Sequence, residues 1–468
     1  MLTRSRQCQN QKKPVEAQNY HLIYLQLWAL FPGFCSLPTD AKTAFPAMAK
    51  DLGQLINSNP EVRPTVCSGL INLIEKNLEI KGDVDASVES VAAATEAVEV
   101  VAKFAKNFLP ILFNIYSSLN PQTRGFVLEV VRSYFKVTDS ELLSGFFKNA
   151  MKKVLTLFNS TEQLTPEQLE EKHALFDLIV AMAPHLTAES VLVLYRLVKT
   201  NWQSEDLVVQ KKAYKAMGAL LEAGHYAATI GSSPDDLQTL LLDATLSASS
   251  ASKKQRLGCL MHVVEHLPDD DLHLIPSFLP EVILGTKETN EQARQTAFDL
   301  LLALAHRMER GGKINMDVFD EVAEADEAEA EAPKAKGKAA KKAAATKQEK
   351  ASGATVEASV EEFMKMVVAG LAGSSQHMMS ATLTCLARLV YEYLESLRFE
   401  IIEQIIESVV ILLHSKSREL IKSVLGFIKM IIVSLDADDL GPFVPDIVNP
   451  PSSSHLFLRL QSSSLPIS

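Results

Sequence analysis

The sequence predicts an all-α chain, an α-solenoid of stacked helix pairs forming an α-α superhelix. Three observations predict it. Hydrophobic residues make up 47% of the 468 residues and aromatics only 7%. Leu, Ala, Val, Glu and Lys dominate and period-two β-branched runs are scarce, which favours helices. A helical core pattern then recurs along the chain, and one charged low-complexity block interrupts it without changing its phase.

The recurring unit is anchored on a basic residue with a small or apolar residue three positions later. The anchors Arg63, Arg124, Lys172, Arg256, Arg294 and Arg418 pair with Val66, Val127, Leu175, Cys259, Ala297 and Ile421. Gln210 with Ala213 and Met379 with Thr382 complete the set. Seven positions beyond each anchor stand Leu70, Val131, Ile179, Met217, Val263, Leu301, Leu386 and Leu425. Ten beyond stand Leu73, Tyr134, Met182, Leu220, His266, Leu304, Leu389 and Ile428. These offsets share one face of a 3.6-residue helix and predict the core stripe of the second helix in each pair.

Successive anchors are 61, 48, 38, 46, 38, 85 and 39 residues apart, against roughly 40–47 for HEAT and armadillo repeats. The longest spacing holds the low-complexity block, and removing about 45 residues restores one repeat. The 61 spacing holds an acidic, Ala/Val-rich stretch, Lys81 to Ala102, read as an insertion. Asn59-Pro60 and Asn120-Pro121 punctuate the chain before two of the helices, and Ser or Asn leads several others, as N-caps require.

This phase divides the chain into a poorly ordered extension (1–21), a repeat array (22–312), a disordered insertion (313–359), a continuation of the array (360–448) and a disordered Ser/Pro-rich tail (449–468). The insertion opens with an acidic block, Asp317 to Glu331, and continues with a lysine block from Lys334 to Lys350. It lacks an apolar stripe. Lys334, Lys336, Lys338, Lys341 and Lys342 form a candidate nuclear-localisation or nucleic-acid patch, with a self-neutralised linker as the alternative. Basic residues near the start are followed by the apolar Leu22 to Cys35, but Gln26 and Pro32 interrupt that run and no small-residue cleavage site follows. It reads as an amphipathic helix feeding the array, too short to span a bilayer.

Net charge is −11, which excludes a whole-chain basic footprint; RNA contact has to come from local patches. Five cysteines with no CxxC spacing argue against a disulfide framework or zinc ribbon and for a reducing compartment. Cys67, Cys259 and Cys385 fall at small core positions. No GxSxG or GxGxxG occurs, and Gly311-Gly312-Lys313 lacks the spacing of a phosphate loop. His262-Val-Val-Glu265-His266 has the HxxEH form of a zinc-peptidase signature, but it lies inside a repeat copy, where Val263 and His266 take core positions. No catalytic residue, cofactor or metal is expected.

Four local patches are candidates for RNA or partner binding: Lys148, Lys152 and Lys153; Lys211, Lys212 and Lys215; Lys253, Lys254 and Arg256; and Lys416, Arg418 and Lys422. Lined along the second helices they would present a discontinuous basic track for phosphates. Ordinary solvated helix faces are the alternative. For Arg63, Arg124, Arg256, Arg294 and Arg418 the structural reading is a bond to loop carbonyls or an acidic neighbour.

Four longer motifs, LWALFPGFCSLPTD (27–40), KFAKNFLPILFNIY (103–116), LPEVILGTKE (279–288) and SRELIKSVLGFIKM (417–430), occur in an order that resembles the ribosomal RNA-processing protein 12 family, over roughly residues 22–447. The resemblance implies a non-enzymatic HEAT-repeat scaffold of the nucleus and nucleolus. Such a protein binds pre-ribosomal particles, supports pre-rRNA processing and aids maturation and export of small-subunit precursors. Pre-ribosomal proteins, pre-rRNA and the nuclear transport machinery are the implied partners, with no membrane and no small-molecule substrate. An importin-like transport receptor or adaptor is the alternative. Family members are longer, with a further upstream array and a basic tail. The segments 1–18 and 449–468 match nothing in the pattern, and because an open solenoid end exposes an apolar face unless a capping helix covers it, this chain alone is expected to be poorly soluble.

Overall fold

In the computed structural model, residues 1–160, 163–241, 248–315, 355–372 and 375–448 are described. They divide into two compact units, Met1–Ser233 and Pro234–Ser468.

The first unit runs α1 (Leu2–Asn10), α2 (Pro14–Ala29), α3 (Phe31–Phe34), α4 (Ala41–Ser58), α5 (Arg63–Gly82), α6 (Val88–Lys103), α7 (Ala105–Ser118), α8 (Gly125–Val137), α9 (Ser140–Phe158), α10 (Pro166–Met182), α11 (Ala188–Thr200) and α12 (Leu207–Glu222). Caps placed by the sequence start several of them. Asp139 and Asp206 accept from backbone N–H groups of α9 and α12, and Thr165 with Gln168 closes a capping box on α10, satisfying donors that a helix start leaves unpaired. Asn59 and Asn120 accept from Val62 N and Gln122 N in the turns before α5 and α8. The second helices α5, α8, α10 and α12 pack in succession. Their facing stripe is the predicted one, with Leu70, Val131, Ile179 and Met217 fully buried.

Two expectations change here. The stretch 81–102 is no appended insertion: α6 buries Ala94, Ala97, Val98, Val100 and Val101 and packs on α4 and α5, so this repeat has three helices. Residues 1–21 carry α1 and the first half of α2, tied by Ser5 Oγ donating to Ala17 O at 2.7 Å. Within the run 22–35, Leu22, Leu27, Leu30 and Phe34 remain exposed, while Phe31 lies against the α5 backbone at Gly69, where a Cβ would collide with its ring.

The second unit runs α13 (Pro234–Leu241), α14 (Lys253–Glu265), α15 (Ile275–Gly285), α16 (Glu291–Glu309), α17 (Val360–Ala369), α18 (Gln376–Tyr393), α19 (Phe399–Val410), α20 (Arg418–Ser434), α21 (Ala437–Leu440) and α22 (Val444–Val448). Its second helices α14, α16, α18 and α20 again pack in succession. Between α16 and α17, β1 (Lys313–Asn315) pairs antiparallel with β2 (Thr355–Glu357). The two ends of the predicted disordered insertion are thus a short ladder, with Ile314 fully buried. Gly312, at φ +134, enters it where a Cβ would strike Leu272. The acidic block and Lys334, Lys336, Lys338, Lys341 and Lys342, with the tail 449–468, lie outside the described residues.

The predicted register fails twice in this unit. His266 caps the end of α14 and is exposed; Leu267 takes the core place. In α20 the stripe is Leu420, Val424, Phe427, Ile428 and Ile431, so Ile428 keeps its predicted core place while Leu425 is 54% exposed. Ser417 caps that helix by accepting from Leu420 N, so the face starts one residue earlier than an Arg418 anchor implies. All five cysteines are buried. Burial pushes the thiols of Cys67, Cys259 and Cys385 up to about 12, which leaves them protonated at neutral pH.

Candidate functional site

Six of the eight anchors prove to be internal struts, and Arg418, exposed at the start of α20, does not. Arg63, buried at the start of α5, donates to the carbonyls of Ile56 and, at 3.1 Å, Asn57 in the last turn of α4. Those carbonyls have no partner within their own helix. Arg124 reaches across to α10, with Nη1 2.6 Å from Glu170 and Nη2 3.4 Å from Asp177. Its guanidinium stands 4.6 Å over the Tyr116 ring, and Tyr116 OH donates to Asp177 at 2.9 Å. Lys172 bonds Asp206 at 3.0 Å, and His173 approaches the same oxygen at 3.2 Å. Burial raises the Asp206 carboxyl, but hydrogen bonds from Lys172, His173 and Val209 N outweigh it and hold the group at about 2. Gln210 Nε2 donates to Trp202 O at 3.0 Å. Arg294 donates to Glu288 O at 2.8 Å.

Arg256 is the most enclosed of these. It is 0% exposed, with Nε and Nη2 2.7 and 2.8 Å from the two oxygens of Glu281 and Nη2 2.9 Å from Leu240 O. Its planar fork satisfies a carboxylate and a helix-end carbonyl together. Having no surface to offer a ligand, Arg256 leaves the set of candidate RNA contacts.

The remaining candidates separate by environment. Lys212 is nearly covered and ion-paired with Asp177; burial pulls its ammonium down, against the opposing charge of Asp177. Lys253 pairs with Glu288, and Lys254 donates to Gln292 at 2.7 Å. These three tie their helices to a neighbouring helix or to its flanking turn. Lys416, Arg418 and Lys422 are exposed around the start of α20. Lys148 and Lys152 border a groove between α9 and α11 floored by Phe147, Met151 and Val193, whereas Lys153 lines a different hollow with Glu167 and Glu171. The three lysines of that patch thus line two different hollows. Lys211 and Lys215 are exposed on α12.

Residues that local clustering did not flag join them. Arg132 on α8 lies close enough to Lys215 for its charge to act on it. Lys287, whose ammonium is lowered by burial, donates to Ser423 and feels Lys422. A signal for Arg132 existed in the repeat register: positions one, five and eight beyond an anchor share a face beside the core stripe. Lys211, Lys215 and Arg132 hold those positions in two copies. The HxxEH motif shows no convergence on a metal. His262 Nδ1 meets Glu265 at 3.0 Å, while His266 Nδ1 turns to the His262 carbonyl at 2.9 Å. Among the described residues no group of three or more ligands is arranged for a metal, and no helix is long and apolar enough to cross a membrane.

Stacked helix pairs tied by such struts are the architecture of HEAT-repeat solenoids. The solved structure of a "Kap95:Nup1 complex" shares this fold, with TM-score 0.53 at 12% identity over 94% of this chain and 50% of that one. The family model "Ribosomal RNA-processing protein 12, HEAT repeats" matches residues 1–119, including the stretch 1–18 that carries no motif legible by eye. An RRP12-like protein of Gallus gallus is 33% identical over 441 residues, covering 92% of this chain and 29% of the relative. The Homo sapiens RRP12-like protein is 31% identical over 437 residues, with the same coverage of 92% and 29%. Ribosomal RNA-processing protein 12 of Saccharomyces cerevisiae is 29% identical, covering 93% of this chain and 34% of the relative. The chain belongs to the ribosomal RNA-processing protein 12 family, and it spans about a third or less of the length of these relatives.

Proposed function

We propose that the chain is a non-enzymatic scaffold in ribosome biogenesis, binding pre-ribosomal particles in support of pre-rRNA processing and of small-subunit precursor maturation and export. The observation that carries this reading is the relationship over 92% of the chain to RRP12-like proteins, together with the yeast relative named for ribosomal RNA processing. The repeat architecture supports the non-enzymatic part, since stacked helix pairs supply extended binding faces. The reading places the protein in the nucleus and nucleolus, with pre-ribosomal proteins, pre-rRNA and transport factors as partners. The array stretches 22–312 and 360–448 carry the binding faces, and the lysines from Lys334 to Lys342 serve nuclear localisation or nucleic-acid contact.

Affinity purification of the tagged chain from nuclear extract, with sequencing of the co-purified RNA, tests this. Enrichment of small-subunit pre-rRNA and assembly factors is expected. Recovery of cargo that a GTP-loaded small GTPase releases, without pre-rRNA, would replace the scaffold reading with that of a transport receptor.

A further inference from the structure

Several cations in this chain are met by a carboxylate on a neighbouring helix or in its flanking turn: Arg124 by Glu170 and Asp177, Lys172 by Asp206, Lys253 by Glu288, Arg256 by Glu281. One group in the first unit gathers cations without such a partner. Lys211 and Lys215 stand one turn apart on α12, exposed, and no ion pair engages either among the described residues. Arg132 approaches from α8, on the far side of α10, which packs against both helices. Its carboxylate neighbour is Glu129 on its own helix, at 3.7 Å, with the two side chains 42% and 64% exposed. Such a pair adds little at a surface. Asp177, the carboxylate whose charge acts on Lys215, is already taken up by Lys212, Arg124 and Tyr116.

We propose that Arg132, Lys211 and Lys215 form a binding site for the backbone phosphates of single-stranded RNA. The proposal deepens the scaffold reading and rests on it for the choice of RNA. The Lys215 ammonium is held below the ordinary lysine range, first by burial of its stem and then by the charges of Arg132, Lys212 and Lys211, with Asp177 opposing. The cluster is therefore self-repelling, and an arriving anion relieves that repulsion. Lys211 and Lys215 are separated by one helical turn, with Cβ atoms about 5–6 Å apart, so each can meet a separate phosphate. Of the aromatic side chains on these two helices, Tyr134, Phe135 and Tyr214 are buried, and the half-buried Phe126 stands six residues before Arg132, off its face of α8. The surface thus offers charge without a stacking platform, which fits backbone contact and not base readout. An acidic peptide would bring apolar side chains that need pockets for affinity, and the groove between α9 and α11 that provides such a floor is bordered by other residues.

The test uses the full chain and fluorescently labelled oligouridylate and oligoadenylate, with anisotropy read across a salt series. The double variant Lys211→Gln/Lys215→Gln is expected to lose affinity on the order of tenfold at low salt. Losing two phosphate contacts flattens the slope of log K against log salt by about 1.4. Lys211→Arg/Lys215→Arg is expected to keep both affinity and slope, which excludes misfolding as the cause. Arg132→Gln flattens the slope by about 0.7. An unchanged slope in the double glutamine variant overturns the site. So does competition by polyglutamate as effective as by RNA, or a strong preference between the two oligonucleotides. If the site fails while the chain still purifies with pre-rRNA, the scaffold reading stands without it.

Discussion

Helices α14 and α20 carry the same written pattern and fold it differently. In α14 the guanidinium of Arg256 is wholly enclosed by Glu281 and the Leu240 carbonyl, and Cys259 and Val263 fall in the core as their spacing predicts. In α20 the equivalent Arg418 is exposed and no described carboxylate or carbonyl receives it. Ser417 caps the helix instead, and the core face begins one residue earlier. A one-residue shift turns the face by about 100°, enough to exchange Val424 for Leu425. A basic residue marks register only when an acceptor waits on the neighbouring helix; where none does, the cap decides.

The largest expected effect breaks that comparison at its strongest point. Arg256→Ala strands Glu281, which is 16% exposed, and is expected to cost about 3–5 kcal/mol. Arg418→Ala is expected to stay within about 0.5 kcal/mol. Denaturant unfolding of both variants checks this, and equal losses would erase the distinction. The shifted face of α20 gives the next contrast. Phe427→Ala removes a buried ring and is expected to cost about 3–5 kcal/mol. Leu425→Ala, at the position the spacing had assigned to the core, is expected to cost under about 0.5 kcal/mol.

A smaller effect extends the comparison to the strut at Asp206. Its folded carboxyl, at about 2, lies below the ordinary value near 3.9. Folding therefore favours the ionised form. The contribution is fully present above pH about 4 and is lost as pH falls towards 2. Asp206→Asn is expected to cost on the order of 2 kcal/mol at neutral pH and to flatten the acid-unfolding profile between those limits. A parallel profile in the variant would remove this strut from the account.

The repeat, its phase and most of its core could be read from sequence because apolar residues at offsets of three, seven and ten have one face to occupy. Leu70, Val131, Ile179, Met217, Leu301 and Leu386 show it. The structural role of Arg63, Arg124, Arg256 and Arg294 was also legible, since each stands near a turn, whereas Arg418 departs from that reading. What the pattern hid was the partner. Glu281 and Asp177 lie on helices that spacing alone cannot align with Arg256 and Lys212, so these cations looked like surface patches when they are ties. The same blindness concealed Arg132, which joins Lys211 and Lys215 only when second helices from different repeats are stacked. The role of 81–102 was missed because an Ala/Val-rich stretch has the composition of an insertion and the packing of a core helix.

The central claim is that the anchors hold the array together from within. A double-mutant cycle on Arg256→Met and Glu281→Met, followed by urea unfolding, tests it most directly. Each single variant is expected to lose about 3–5 kcal/mol, and the double variant to recover most of that loss, because two apolar side chains replace a buried pair without leaving a lone charge. Losses that simply add in the double variant would contradict the claim.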